Sequence, residues 1–302
     1  MSIRFRDALT FAVALSSLSP RGTGAQEAGP YDVVILGGRV IDPETGFDAV
    51  ANVGIRDDRV VAVGTQSMSG SRIIDATDLV VAPGFIDPLT SVSAATMPSA
   101  RYKVTDGVTT VLALHGGPVD VAALYDDMMR RGALLNYGTN VGHGALRTAV
   151  GLSSGVEEGR AVPASSEQAE QIVELARRGI MDGALGIGFG LQYVPSTSEE
   201  EVFRLFELGA RYGVPSHLHI RYLGPQQPIN SVKAIHEVIA TAAATGASAQ
   251  VVHVNSTSPT DIDLVLDLLE GAAVNGGGVV DNGELMESVH PGRAIRDAPG
   301  GS

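Results

Sequence analysis

Three histidines lie near the ends of apolar runs, where they could hold a metal ion. His219 lies in PSHLHIRY, His253 in AQVVHVNS and His115 in GVTTVLALHGG. A neutral imidazole is a ligand for zinc and similar divalent ions, and barrel active sites are built at the carboxyl ends of the strands. The same residues could also be hydrogen-bonded structural histidines, an alternative that the residues alone leave open.

Strand periodicity refines this prediction. Side chains of a strand alternate between two faces, so His217, His219 and Arg221 are predicted to share one face. By the same rule, His253 and Asn255 share a face on the next strand. His217 lies one step deeper than His219, and we interpret it as a packed, hydrogen-bonded imidazole.

The other histidines are weaker candidates. His143, in NYGTNVGHGALR, closes a third apolar run and is predicted to contact substrate or support a ligand rather than bind metal. His236 lies in a helical pattern and His290 in an irregular tail, so no function is predicted for either. Because the chain has no cysteine, any metal must be held by histidine and carboxylate.

The elements that must position these residues follow a βα pattern from Gly84 onward. Apolar runs of strand length alternate with amphipathic helical patterns, which is typical of a parallel α/β structure. The predicted strands are 84–88, 109–114, 134–140, 184–190, 214–220 and 249–255. The predicted helices are 121–132, 166–179, 198–213, 231–246 and 260–272.

The mature chain is predicted to contain three segments. Residues 31–82 hold three β-branched runs separated by turn signals, which indicate a small N-terminal β-subdomain. Residues 83–272 form a partial barrel of about six strands, fewer than the eight of a closed one. Residues 273–302 are predicted to be an irregular tail. The fold class is therefore α/β, an incomplete TIM-like (β/α) barrel with a small N-terminal β-subdomain.

Residues 1–25 have the pattern of a secretory signal peptide. Arg4 and Arg6 precede an apolar run over residues 8–18, and small residues follow at 23–25. The apolar run is about half as long as a membrane span. We therefore expect export to the periplasm or beyond, without a membrane span. The net charge of −13 argues against a nucleic-acid partner.

Seven motifs in order resemble one family. They are YDVVILGGRVIDPETG, VVAPGFID, DGVTTVLAL, NYGTNVGHGALR, GALGIGFGLQYVP, the His219 to Arg221 pattern and HVNS at 253–256. With them the chain resembles the N-acyl-D-amino-acid deacylase branch of the amidohydrolase superfamily, and within it the N-acyl-D-glutamate deacylases. The resemblance covers roughly residues 31–270.

The resemblance implies a (β/α) barrel with a side β-sandwich and a zinc-type site that activates water for attack on an N-acyl amide. The family's metal ligands from the second, fifth and sixth strands match His115, His219 and His253. The Glu-Leu-Glu pattern of the glutamate-specific group appears here as residues 113–115, Ala-Leu-His. The substrate-binding candidates are Tyr193, Arg221, His143 and Asn255, with Arg221 expected to bind a substrate carboxylate.

The sequence departs from the family at two points. The first-strand His-x-His is replaced by Leu89 and Ser91, which cannot supply imidazole nitrogens to zinc. The family's general-base aspartate comes from the last barrel strand, which we do not expect in this chain, so no catalytic residue is assigned. Three imidazoles could still hold one ion at most, zinc or another divalent metal.

These features predict a metal-dependent hydrolase of non-peptide C–N bonds, similar to N-acyl-D-amino-acid deacylases and impaired in this chain. Its partner is a small N-acyl amino acid. Two alternatives stay open: a non-catalytic binding protein for acylated amino acids, and another amidohydrolase such as a cyclic amidase. The chain is expected to be either a truncated copy or a natural pseudo-enzyme.

Overall fold

The computed structural model describes residues 31–90, 100–152, 162–274 and 279–281. The chain forms two compact units, divided between Phe85 and Ile86. The predicted signal peptide, Ser91 and His290 lie outside the described residues, and so does most of the predicted tail.

The N-terminal unit is a small β-sheet, as predicted. Its strands are β1 Tyr31–Asp42, β2 Phe47–Arg56, β3 Arg59–Gly64, β4 Gly70–Asp75 and β5 Val80–Val81. Strands β1 and β2 pair antiparallel, as do β2 and β3, while β4 and β5 pair parallel to β1. The buried side chains of Val34, Val40 and Ala51 each lie between two more exposed neighbours, as expected for strands with one face in the core.

The second unit is built on two sheets of mainly parallel strands. They are β6 Phe85–Asp87, β7 Val108–Ala113, β8 Asn136–Thr139, β9 Val141–Gly142, β10 Ile187–Gly190, β11 Ser216–His219, β12 Ala249–Val251 and β13 Val279–Asp281. One sheet has the order β6-β7-β8 and the other β13-β12-β11-β10-β9, and β8 continues into β9 through Asn140. Every pair from β9 to β13 is parallel, as is β7 with β8. This parallel pairing confirms the α/β fold class.

Helices alternate with these strands. They are α1 Ala100–Thr105, α2 Val121–Arg131, α3 His143–Ala149, α4 Ser166–Met181, α5 Glu199–Tyr212, α6 Ser231–Thr245, α7 Val254–Thr257 and α8 Ile262–Val274. The N-termini of the longer helices are capped by polar side chains: Ser165 and Gln168 form a capping box, and Ser198 and Asn230 accept from backbone N–H groups. None of the helices within the described ranges is both long and apolar enough to cross a membrane.

The main core lies between the strands and the longer helices. Leu218 of β11 and Val251 of β12 pack in one buried cluster with Leu205, Ile235 and Val265 of the helices. Because strand side chains alternate, the histidines on either side of Leu218 point to the opposite face of the sheet. The helix packing therefore decides which side chains face away from the helices.

Two sequence predictions about the last strands were wrong. Strand β12 ends at Val251, and the short helix α7 begins at Val254, where a strand had been expected to continue. The segment predicted to be an irregular tail contains β13, which pairs in parallel with β12 from Ala249 to Val251. Its two valines stand beside a run of glycines, so the local pattern carried no strand signal.

Candidate metal centre

The imidazoles of His115, His219 and His253 lie side by side. The ring centroid of His253 is 5.4 Å from that of His115 and 5.4 Å from that of His219. His219 ends β11, while His115 and His253 each follow the end of a strand by two residues. The carboxyl ends of neighbouring strands thus bring together residues that are far apart in the sequence.

The chemistry of this cluster suits a metal ion. Burial lowers the pKa of each of the three imidazoles, and His253 lowers the pKa of the other two further by charge repulsion. The rings are therefore held neutral, the form that binds metal. In addition, Nδ1 of His115 is buried without a hydrogen-bond partner, which is costly unless a ligand satisfies it.

The spacing of the three rings fits a bound ion, whereas their present orientation does not direct all three donor atoms at one point. Zinc at about 2 Å from three imidazole nitrogens puts the ring centroids about 5 Å apart, close to the observed separations. Yet in the described part of the chain no three His, Asp or Glu side chains hold their donor atoms around one point. Rotation of each ring about its Cβ–Cγ bond redirects the nitrogens while leaving the ring centroid nearly in place, so the observed separations are compatible with three ligands on one ion.

His253 occupies an uncommon backbone conformation. Its φ is 58°, in the left-handed region, which non-glycine residues adopt seldom and at some energetic cost. The carbonyl of His253 accepts hydrogen bonds from the N–H groups of Ser256 and Thr257, both at 3.0 Å. The prediction that His253 and Asn255 share one face of a strand was wrong, because Asn255 lies in α7.

Asn140 links the segment after β7 to β11. Its Nδ2 lies 2.9 Å from Nδ1 of His217 and also donates to the carbonyl of Leu114, the residue before His115. His217 is buried, and burial lowers its pKa to about 4. The prediction that His217 is a packed, hydrogen-bonded imidazole is confirmed. No sequence pattern indicated the role of Asn140.

The segment that carries His115 passes very close to its neighbours. A Cβ added to Gly188 of β10 would lie 2.6 Å from the backbone of Gly116 and 2.7 Å from the carbonyl of Leu114. One added to Gly142 would lie 2.2 Å from the carbonyl of Gly117. Glycine at these positions lets the backbone after β7 lie across the ends of β9 and β10.

Tyr193 borders the histidine cluster. Its ring centroid is 5.4 Å from that of His219 in an edge-on arrangement, and the residue is 47% exposed. It lies in the 3₁₀ turn Leu191–Tyr193 that follows β10. Contact with substrate stays a prediction for this residue.

Arg221 is not free to bind a substrate carboxylate, contrary to the expectation from the resemblance. Its Nε and one terminal nitrogen donate to the two carboxylate oxygens of Glu237, at 3.0 and 2.7 Å. Its other terminal nitrogen donates to the carbonyls of Pro195 and Thr197. The side chain is only 3% exposed, so a substrate would have to displace Glu237.

His143 is also placed differently from the prediction. The residue is fully buried, its Nε2 lies 2.7 Å from a carboxylate oxygen of Glu201, and its ring packs on Phe189. Arg147 donates to the other oxygen of Glu201 at 2.6 Å. A side chain enclosed in this way cannot contact substrate. His236, by contrast, is exposed on α6.

The loop after β6 carries a leucine where the family has a histidine. Leu89 forms an isolated antiparallel bridge with Ala113. The carboxylate of Asp87 accepts a hydrogen bond from the hydroxyl of Thr90 and forms an ion pair with Lys103. The loop therefore lies beside the end of β7, as expected for the first strand, but it contributes no imidazole among the described residues.

Sequence comparison places these features among known proteins. The chain is 30% identical over 260 residues to N-acyl-D-glutamate deacylase of Alcaligenes xylosoxydans xylosoxydans, covering 76% of this chain and 51% of that protein. It is 30% identical over 216 residues to the D-aminoacylase of the same organism, covering 61% and 43%. A dihydroorotase of Anaeromyxobacter sp. (strain K) is 28% identical over 246 residues, covering 67% and 56%. No family model matches the chain.

Solved structures agree with the fold. N-acyl-D-glutamate deacylase from Bordetella bronchiseptica, complexed with zinc and a phosphonate that mimics the tetrahedral intermediate, superposes with a TM-score of 0.73 at 23% identity. A D-aminoacylase that defines a novel subset of amidohydrolases gives 0.70 at 25%. Each match covers 83% of this chain and 58% of the other.

The chain belongs to the amidohydrolase superfamily. It spans about half the length of the two deacylase relatives. Another D-aminoacylase structure, with a TM-score of 0.70 at 24% identity and the same coverage of 83% and 58%, concerns the binuclear metal centre of that enzyme, where one metal activates and the second attenuates.

Proposed function

We propose that the protein is a metal-dependent amidohydrolase that cleaves the amide C–N bond of N-acyl-D-amino acids. The observation that carries the proposal is the convergence of three neutral imidazoles at the carboxyl ends of parallel strands, with 5.4 Å between neighbouring ring centroids. Two relatives at 30% identity are named for deacylation of N-acyl-D-glutamate and for D-aminoacylase activity.

The residues present fit a divalent ion, zinc in the first instance. His115, His219 and His253 would hold it, since all three rings are neutral and Nδ1 of His115 is buried without a partner. A divalent ion bound there supplies Lewis-acid chemistry for amide hydrolysis. Tyr193 would border the substrate with its exposed ring, and Arg221 would act through the surrounding protein rather than by direct contact.

We also propose that the activity is weak. Leu89 and Ser91 stand where the family has two histidines, so one ion at most is expected. We assign no general base, because the residues that follow Asp281 lie outside the described part of the chain. The chain is proposed to be exported to the periplasm or beyond, on the pattern of residues 1–25 alone.

One other reaction is favoured by a specific observation. The dihydroorotase relative covers two thirds of this chain, and hydrolysis of a cyclic amide would use the same three imidazoles. The missing first-strand histidines, for their part, favour a binding protein without catalysis. The three alternatives predict different combinations of metal binding, ligand binding and turnover.

The test uses the purified full chain with zinc. We expect about one tightly bound zinc per chain, and slow release of glutamate from N-acetyl-D-glutamate but not from its L-enantiomer. In H219A and H253A both zinc and turnover should be lost. His236→Ala is the matched control, because that histidine is exposed on a helix, and it should keep both.

Each other result has a definite meaning. Faster hydrolysis of dihydroorotate than of N-acetyl-D-glutamate would identify a cyclic amidase. Calorimetric binding of N-acetyl-D-glutamate without turnover would identify a binding protein. If zinc binds no more tightly to the natural chain than to H219A, the proposed metal centre is wrong.

A further inference from the structure

The guanidinium of Arg221 joins three separate parts of the protein. The residue lies two positions after His219, the last residue of β11. It forms a two-pronged pair with Glu237 of α6 and donates to the carbonyls of Pro195 and Thr197, at 2.7 and 2.6 Å. Four of its five N–H groups are thereby occupied, and a planar fork of this kind fixes geometry better than a single charge does.

The loop held by Arg221 is the one that carries Tyr193. The N–H and hydroxyl of Thr197 both donate to the carbonyl of Val194, at 3.0 and 2.8 Å, so residues 194–197 form a closed turn. Tyr193 immediately precedes this turn, and its ring lies against His219. Arg221 therefore fixes, from one side chain, both the loop that bears Tyr193 and the chain next to His219.

We propose that Arg221 and Glu237 are positioning residues whose ion pair holds Tyr193 against His219. Glu237 is needed because a guanidinium buried without its counter-charge is strongly unfavourable. The carbonyls of Pro195 and Thr197 alone cannot neutralise it. The role of Tyr193 at a substrate rests on the proposed function, but its position beside His219 does not.

The chain has no tryptophan, which permits a direct measurement. In a Tyr193→Trp protein the introduced indole is the single tryptophan of the chain, and excitation at the long-wavelength edge of its absorption selects it over the remaining tyrosines. Adding Arg221→Gln or Glu237→Gln should release the loop, so quenching of the indole by acrylamide should rise and its emission should no longer respond to zinc. Arg221→Lys tests geometry against charge, since lysine keeps the charge without the fork.

Hydrogen exchange checks the same loop with Tyr193 intact. In R221Q the turn loses the two hydrogen bonds from the charged guanidinium to the carbonyls of Pro195 and Thr197. The amides of Val194 and Thr197, which donate to the carbonyls of Leu191 and Val194, should therefore exchange about 10- to 100-fold faster. Arg204→Gln is the control: it removes an arginine that pairs with the exposed Glu200 on α5, outside the turn, and should leave exchange at 194–197 and quenching of the indole unchanged. If R221Q does not fold, E237Q is the variant that decides.

The two proposals fail in different ways. Unchanged quenching and exchange in folded R221Q or E237Q would overturn the positioning role, whatever the activity. Loosening of the loop in a protein that hydrolyses no N-acyl amino acid would support the positioning role and count against the proposed function. Where turnover is present, R221Q should raise KM more than it lowers kcat, with zinc content retained, and loss of zinc in R221Q with an unchanged loop would also contradict the inference.

Discussion

At the scale of single residues, the carboxylate of Glu201 lies between two partners in the core. It accepts from Arg147 and pairs with Nε2 of His143, and both side chains of each pair are fully buried. Replacing it by glutamine would leave the buried charge of Arg147 uncompensated. We expect E201Q to lose about 3–5 kcal/mol of unfolding free energy in urea titrations.

The matched control for this loss is Glu200→Gln. Glu200 is the neighbouring residue and pairs with Arg204, but its side chain is 68% exposed. Exposed pairs contribute little to stability, so E200Q should have the same unfolding free energy as the natural protein. Equal destabilisation of both variants would mean that the Glu201 cluster is not a structural anchor.

The same cluster predicts the pH dependence of stability. Burial raises the pKa of Glu201, but its hydrogen bonds with His143 and Arg147 and the charge of Arg147 outweigh burial and leave its pKa below the usual 4.5. A lowered carboxylate pKa contributes stability above pH 4.5 that is lost as the pH falls through the folded value. Burial also lowers the pKa values of five histidines below 6.5, namely His143, His115, His217, His219 and His253. The unfolded chain therefore binds protons at these residues at a higher pH than the folded chain does, and stability falls as the pH drops below 6.5.

Urea unfolding from about pH 7 to about pH 4 measures this dependence. The unfolding free energy of the natural chain should begin to fall near pH 6.5 and fall further below 4.5. In E201Q the part of the decline below 4.5 should be reduced, because one carboxylate no longer titrates. An identical acid profile in the two proteins would place the responsible groups elsewhere.

At the scale of elements, local patterns were enough to predict the strands whose apolar runs meet clear turn signals. They were not enough for β13, whose position is set by pairing with β12 rather than by its own two valines. The turn at His253 was missed because AQVVHVNS has a continuous strand pattern, and the hydrogen bonds that bend it come from α7. In the same way, Glu237 lies 16 residues after Arg221, so no local pattern indicated that these two side chains would pair.

The close approach of Gly188 to the segment that carries His115 leads to another prediction. A methyl group at Gly188 would overlap the backbone of Gly116 and Leu114, neither of which is the flexible end of a side chain. We expect Gly188→Ala to lose about 1–3 kcal/mol of stability, seen as a lower thermal midpoint, and to weaken zinc binding. Gly116→Ala lies in the same segment, but its added methyl group meets no atom within 4 Å, so it should leave both unchanged. Equal effects would show that close packing is not the reason for glycine at 188.

At the scale of the whole molecule, the candidate centre exists only when distant strands pair. His115 follows β7, His219 ends β11 and His253 follows β12, so an unfolded chain cannot present the three rings together. An ion that binds only the folded state must therefore stabilise the fold. This linkage can be measured without any assumption about substrate.

We expect zinc to raise the thermal midpoint of the full chain. At about 100 times the dissociation constant the gain is about 2.7 kcal/mol, which for a protein of this size corresponds to roughly 4–6 °C. The net charge of −13 attracts cations in general, so magnesium at equal concentration serves as a control and should have little effect, because imidazoles are poor ligands for it. H236A should respond to zinc like the natural chain, whereas H219A and H253A should not. An equal rise in H219A would assign the effect to zinc bound at the surface, because the cluster would then have lost a ligand without consequence.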